Sequence, residues 1–372
     1  MQISAVYICP VRGLMHLEPP EPETLLKAAG AARDLGVERF LLPVLEESLL
    51  QGAKAKVRFL DGVILALDRV AEARLTSWLI APASNLLGLT WSPAFVMKGH
   101  RDPKAPPVFV DGALRNLYPM DWWSDPSAIQ LRIRLFRELL SAVAGHPAIS
   151  GWVLLDRTFE QVRPGSEAAD FVLRSFVAEV KERDNASRVH LGLGWPELIA
   201  PETALSITPL VDGIRMAGDS GMPGLPRPSH LSDELRISAF ISALAIWLFQ
   251  KPLEVQCGPG LLGGPGDPDE IVENLGILGR QGAASLSWWT LANPGPAARR
   301  EIPWVLRAGL DHSGLLHPDL EPVEGAEEWL RAARAAEPGG ERMEFIDIGR
   351  EEYLSDPALH VTRLWDHFLE SL

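Results

Sequence analysis

Two short stretches carry the side chains that could do chemistry. One is the run at 149–157, ISGWVLLDR, which reads as a buried strand ending on Asp156 and Arg157. The other, PLEVQCG at 252–258, reads as a strand bearing Glu254 and Gln256. Successive side chains of a strand point to opposite faces, so Glu254 shares a face with Gln256 but lies about 7 Å deeper. Asp156 and Glu254 could serve as acid and nucleophile if both reached one cleft, and Glu160 follows in the next loop. The plainer reading makes Glu254 a buried acid balanced by a guanidinium. A buried carboxylate needs a partner, and Arg12, Arg157 and Arg215 all fall near strand ends.

Other chemistries find no local signature. His16, His100, His146, His190, His230 and His312 make no i,i+4 pair, so no metal site is expected. His146 reads as a helix C-terminal residue. There is no G-x-S-x-G elbow. The stretch GPGLLGGPGDPD at 258–269 lacks the Lys-Ser/Thr of a phosphate loop and reads as a loop over the site, so no cofactor is expected. Cys9 and Cys257 form no metal spacing and are expected as buried free thiols.

The elements that must position these residues alternate along the chain. Apolar strand-like runs fall at 3–8, 39–44, 76–82, 149–156, 188–194, 212–217, 252–258 and 284–291. Between them lie helical patterns at 22–36, 60–75, 127–146, 168–184, 201–211, 233–250 and 268–282. A long stretch at 83–125, rich in proline and containing DWWSDP, reads as an irregular loop too aromatic to be simply disordered. Eight apolar strands with α-segments between them predict a (β/α)8 TIM barrel. A doubly wound sheet is disfavoured, because CPVRGLM after the first strand is no phosphate-binding turn. The barrel domain is expected over 1–336, closing through helix-rich sequence at 303–333. Past a hinge at 337–340, a tail at 337–372 is expected to dock through Leu359, Leu364, Trp365 and Phe368.

Charge and composition narrow the partners. The 35 basic against 49 acidic residues give a net charge of −14, and no basic stripe appears, so nucleic acid is excluded as an expected partner. No run of about 18 apolar residues suggests a membrane span. The start, MQISAVYICP, has no signal-peptide pattern, so a cytoplasmic location is expected. Twelve Trp stand against three Tyr. Trp122, Trp123, Trp195, Trp288 and Trp289 fall at or after strand ends, where indole faces could stack on sugar rings, although any single Trp is more simply core filler.

At DPSAIQLRIRLFRELLSAVAGHPAISGW the chain resembles the clan A, cellulase-type glycoside hydrolases, whose helix before the acid/base strand ends in a similar phrase. The likeness continues as pattern over about residues 30–335, through EVKERDNASRVHLGLG, QKPLEVQCG, QGAASLSWWTL and SGLLHPDLEPVEGAEEWLRAA. It implies a barrel meeting carbohydrate at its strand C-termini. Matched position by position, the family's Asn-Glu pair falls on Asp156 and Arg157, and its nucleophilic Glu on Gln256. Retaining hydrolysis needs a carboxylic acid and a carboxylate about 5–5.5 Å apart. Arg cannot act as an ordinary general acid, and Gln is a poor nucleophile. The resemblance therefore implies a glycoside hydrolase-like protein that has lost the two-Glu mechanism. Two alternatives stand beside it. One is a catalytically inactive carbohydrate-binding or scaffolding relative, holding an acidic sugar through Arg157 and Arg215 with Gln256 as a further contact. The other is a hydrolase using Asp156 and Glu254.

Overall fold

The computed structural model describes residues 1–11, 21–83, 85–86, 89–99, 102–111, 113–217, 222–257, 267–300, 314–336 and 343–372. Arg12, the loop at 258–266, residues 303–313 and the 337–340 hinge lie outside them. The chain runs β1 (Gln2–Val6), α1 (Pro22–Leu35), β2 (Arg39–Pro43), α2 (Glu46–Leu49), α3 (Ala53–Glu72) and β3 (Thr76–Ala83). Four short strands follow: β4 (Asn85–Leu86), β5 (Leu89–Trp91), β6 (Pro107–Val110) and β7 (Ala113–Asn116). Next come α4 (Pro126–Val143), β8 (Ile149–Asp156), α5 (Ser166–Arg183), β9 (Arg188–Leu193), α6 (Pro196–Ile199), α7 (Glu202–Ile207) and β10 (Gly213–Ala217). The last elements are α8 (Leu231–Phe249), β11 (Leu253–Cys257), α9 (Pro268–Arg280), β12 (Ser285–Trp288), α10 (Ala326–Ala335), α11 (Arg350–Ser355) and α12 (Pro357–Glu370).

Eight strands close into a barrel in the order β1-β12-β11-β10-β9-β8-β3-β2, every neighbouring pair parallel. This is the (β/α)8 barrel that the eight apolar runs predict. Local chemistry sets the helix starts. Asp125 caps α4, accepting from Ser127 N at 2.8 Å, and Pro126 supplies a preset φ at the first helical position. α8 is apolar nearly all round because it is covered twice, by the barrel on one side and the C-terminal tail on the other. On the tail side Phe240 meets Phe345, Trp365 and Phe368, and Tyr353 donates its hydroxyl to Leu198 O at 2.7 Å. Of the apolar tail residues expected to dock, Leu364, Trp365 and Phe368 are buried, whereas Leu359 is 63% exposed on the outer face of α12.

The stretch expected to be irregular, 83–125, instead holds a four-stranded sheet in the order β4-β5-β6-β7. Its strands are two to four residues long, too short for a periodicity to show.

The barrel interior combines branched aliphatic residues, Val6, Leu41, Ile80 and Val153, with polar and aromatic contacts that cross between strands that are not neighbours. Arg39 of β2 pairs with Glu254 of β11, Arg215 of β10 with Asp156 of β8, and the Trp78 ring of β3 meets the His190 ring of β9 edge-on at 4.3 Å. Glycines make these crossings possible. A Cβ on Gly151 of β8 would sit 2.4 Å from the Trp78 indole, and one on Gly213 of β10 would sit 2.4 Å from the His190 ring. Gly192 of β9 leaves the space through which Asp156 passes to Arg215, its would-be Cβ lying 2.5 Å from Asp156 Cα. Both rings are buried. Gly151→Ala and Gly213→Ala are each expected to destabilise the protein by about 1–3 kcal/mol. The check is a lower urea midpoint with an unchanged denaturant slope.

Candidate functional site

Asp156 and Gln256 stand at or near the C-terminal ends of β8 and β11, and Arg215, in the middle of β10, links them to Glu254, which lies nearer the start of β11. Backbone geometry at β8 explains how Asp156 arrives there. Leu155 (φ 52°) and Arg157 (φ 54°) are both left-handed, a conformation that costs a non-glycine residue about 1–2 kcal/mol. The distortion is held by Thr158 Oγ1 donating to Leu155 O at 3.0 Å and by Arg157 N donating to Gly192 O at 3.1 Å. Val153 belongs to the inner apolar cluster, while Leu154 and Leu155 both belong to the outer core. Simple alternation is therefore broken by one residue, and Asp156 is turned into the barrel.

Asp156, Arg215, Glu254 and Gln256 meet directly. Arg215 Nη1 donates to Asp156 Oδ1 at 2.9 Å, its Nη2 donates to Gln256 Oε1, and its Nε lies 3.4 Å from Glu254 Oε1. The other Glu254 oxygen pairs with Arg39, and Ser285 Oγ donates to it at 3.4 Å. The Arg39 guanidinium lies 4.0 Å above the Trp78 ring. Two guanidinium and two carboxylate groups thus neutralise one another with almost no solvent contact: Arg39 is 3% exposed, Arg215 1%, Asp156 2% and Glu254 0%. His190 stays neutral beside them, pushed down to about 3 by burial and then by the Arg39 charge. The sequence reading of a buried acid balanced by arginine is right in kind but differs in one partner: Glu254 is held by Arg39 and Arg215. Arg157 instead clasps Glu160 with Nε and Nη2 at 2.7 and 2.8 Å.

Four of the five tryptophans expected as stacking surfaces are shut in by protein. Trp122 and Trp123 stack on each other at 4.0 Å, and Trp122 covers the Arg132 guanidinium at 3.8 Å. Trp123 Nε1 donates to Val162 O at 2.9 Å, and Trp288 stacks on Trp329. Trp289 is buried with Trp91 and Phe109 of the small sheet, in the cluster that fills the barrel above Leu41, Ile80 and Val153. Hydrogen bonds tie that sheet to the barrel. Ser92 Oγ donates to Gln161 Oε1 at 2.9 Å, and Asp111 N donates to Glu47 Oε1 at 3.1 Å. It covers the strand ends on the β1, β2, β3 and β8 side. Trp195 and Gln256, on the β9 and β11 side, remain partly exposed.

Two site residues had no signal in sequence. Arg39 opens β2, and its partner is 215 positions away. Glu197 stands in the first turn of the four-residue helix α6, where the sequence shows no helical pattern. It is 2% exposed, accepts from Gly194 N at 2.7 Å, and is pushed up to about 7 by burial and, opposing the Gly194 bond, by the nearby Glu160 charge. Cys9 and Cys257 are buried free thiols, with burial pushing that of Cys257 up. Among the described residues, no three His, Cys, Asp or Glu side chains gather as metal ligands would, and no helix is long and apolar enough to cross a membrane.

No family model matches the sequence, and no curated protein does. Solved structures match in fold. The chain is similar to a GH5_18 protein from Bifidobacterium longum subsp. infantis, with TM-score 0.70 and 14% identity, covering 91% of this chain and 80% of that one. It is similar to GH5_18 from Streptomyces cattleya in complex with GlcNAc, with TM-score 0.70 and 14% identity over 91% of this chain and 82% of that one. It is also similar to the exo-β-1,4-mannosidase Op5Man5 from Opitutaceae bacterium strain TAV5, with TM-score 0.71 and 14% identity over 90% of this chain and 59% of that one. At such identities the likeness is one of fold, the (β/α)8 barrel.

Proposed function

We propose that this protein is a glycoside hydrolase-like barrel that engages a neutral carbohydrate at its C-terminal mouth without running the two-carboxylate retaining reaction. One observation carries the reading: a single guanidinium, Arg215, joins Asp156, Glu254 and Gln256 where that reaction needs two carboxyl groups facing a sugar. Asp156 and Glu254 are spent on internal ion pairs and buried, which argues against their use as acid and nucleophile. Arg157 and Arg215 already hold carboxylates, so neither favours an acidic sugar.

Carbohydrate as the ligand class is supported by the fold likeness. Among the similar structures, the Streptomyces cattleya protein is in complex with GlcNAc, and a glutamate-to-alanine variant of it is in complex with Manβ1-4GlcNAc. The partly exposed Trp195 offers an apolar edge beside the polar groups at the mouth.

The test is calorimetric titration with Manβ1-4GlcNAc alongside hydrolysis of aryl β-mannosides. Saturable binding with no turnover above the buffer rate is expected. Retaining turnover that disappears in a folded Glu254→Gln variant would overturn the reading.

A further inference from the structure

We propose that Arg157, Glu160 and Glu197 form a subsite for the hydroxyl groups of a neutral saccharide, in which Glu197 donates from its own carboxyl O–H and binds only while it keeps that proton. The inference rests on the carbohydrate reading above and adds to it a specific set of contacts and a pH dependence.

The three groups meet around Gly194, just past the end of β9. A Cβ at Gly194 would lie 2.0 Å from Glu160 Oε1, so the Glu160 carboxylate rests against bare backbone. The Gly194 N–H donates to Glu197 Oε2 at 2.7 Å. The two carboxyl groups therefore lie within about 8 Å of each other. Their surroundings differ sharply. Glu160 accepts two hydrogen bonds from Arg157, which balances its charge in place. Glu197 has one oxygen on the backbone, and its Oε1 is buried with no hydrogen-bond partner among the described residues.

A buried carboxyl beside another carboxylate and without a cation of its own is most stable in the neutral form. The charged groups acting on it are Glu160, which opposes ionisation, and Arg163, which favours it and donates to Pro196 O at 3.0 Å. α6 also packs on α7, α8 and α12. The buried titratable groups those helices carry are Glu234 and His360. Held up to about 7, Glu197 keeps its proton through the mildly acid range. Its buried, unpartnered Oε1 then has an O–H to offer, while Glu160 offers acceptor lone pairs and Arg157 offers donors. Together the three carry no net charge. That donor and acceptor mixture suits the hydroxyls of a neutral sugar and does not suit a uronic acid.

The experiment is titration calorimetry of the full chain with Manβ1-4GlcNAc from pH 5.5 to 9, for the unmodified protein, Glu197→Gln and Glu160→Gln. The affinity of the unmodified protein should be level below pH 7 and fall about tenfold per pH unit well above it. Glu197→Gln should remove the slope, because an amide does not titrate. Glu160→Gln should move the inflection to lower pH, since it takes away the charge that opposes Glu197 ionisation. Equal affinity at pH 5.5 and 9, or an unchanged slope in Glu197→Gln, overturns the subsite while leaving carbohydrate binding in place. No binding at any pH overturns the carbohydrate reading and the subsite with it.

Discussion

Arg215→Met is expected to lower the free energy of unfolding by about 3–5 kcal/mol, the range for removing one partner of a buried ion pair. The size follows from what the side chain holds. Its guanidinium serves Asp156, Glu254 and Gln256, and both carboxylate contacts lie in a space that water barely reaches. Methionine fills a similar volume but leaves the Asp156 carboxylate with no cation and Glu254 with Arg39 alone. Urea titration followed by tryptophan fluorescence reads the loss. A double variant, Arg215→Met with Asp156→Leu, removes the stranded carboxylate as well, leaves the Arg39–Glu254 pair in place, and should recover a substantial part of it. If Arg215→Met alone cost less than about 1 kcal/mol, the cluster would not be the internally balanced unit described here.

The second large effect is a stability difference that depends on pH. In the folded protein the Glu197 carboxyl is raised from its ordinary value of 4.5 to about 7. A raised carboxyl binds its proton more tightly when folded. Its contribution to stability is complete below about pH 4.5, declines as pH climbs from there to about 7, and is constant beyond that. A shift of this size corresponds to about 3 kcal/mol. Glu197→Gln has no such dependence. The stability of the variant relative to the unmodified protein should therefore rise by about 3 kcal/mol between pH 4.5 and pH 8, as read by denaturant unfolding at each pH. A difference that stays flat across that range would show that Glu197 titrates as an ordinary surface acid.

Much of this molecule was legible from its sequence because parallel barrel strands are buried on both faces. Runs such as ISGWVLLD and PLEVQCG are apolar enough to be found without alternation, and all eight barrel strands lie where those runs predict. The tail was legible through Leu364, Trp365 and Phe368, spaced along one helical face. The cap over the barrel was not, because β4 and β5 are two and three residues long and carry no period to read. Nor was the aim of Asp156: it depends on left-handed backbone at Leu155 and Arg157, and neither residue type announces that conformation. The aromatic platform expected from Trp122, Trp123, Trp288 and Trp289 failed for a physical reason. A tryptophan at a strand end serves equally well as filler beneath a cap, and only the cap's position separates the two roles. Glu197 was invisible because its unusual proton affinity arises from burial and, to a smaller degree, from Glu160, 37 residues earlier.

The crossed ion pairs inside the barrel also bear on how the chain can be divided. Arg39 and Asp156 stand on strands of the first half of the barrel, Arg215 and Glu254 on strands of the second. Both pairings that link them, Arg39 to Glu254 and Asp156 to Arg215, run between the halves. A fragment ending before β9 would keep one unmatched cation and one unmatched anion on separate strands, with neither counter-ion supplied. The two halves are thus poor candidates for independent folding, and the barrel should assemble in one cooperative step in which closure and charge neutralisation occur together.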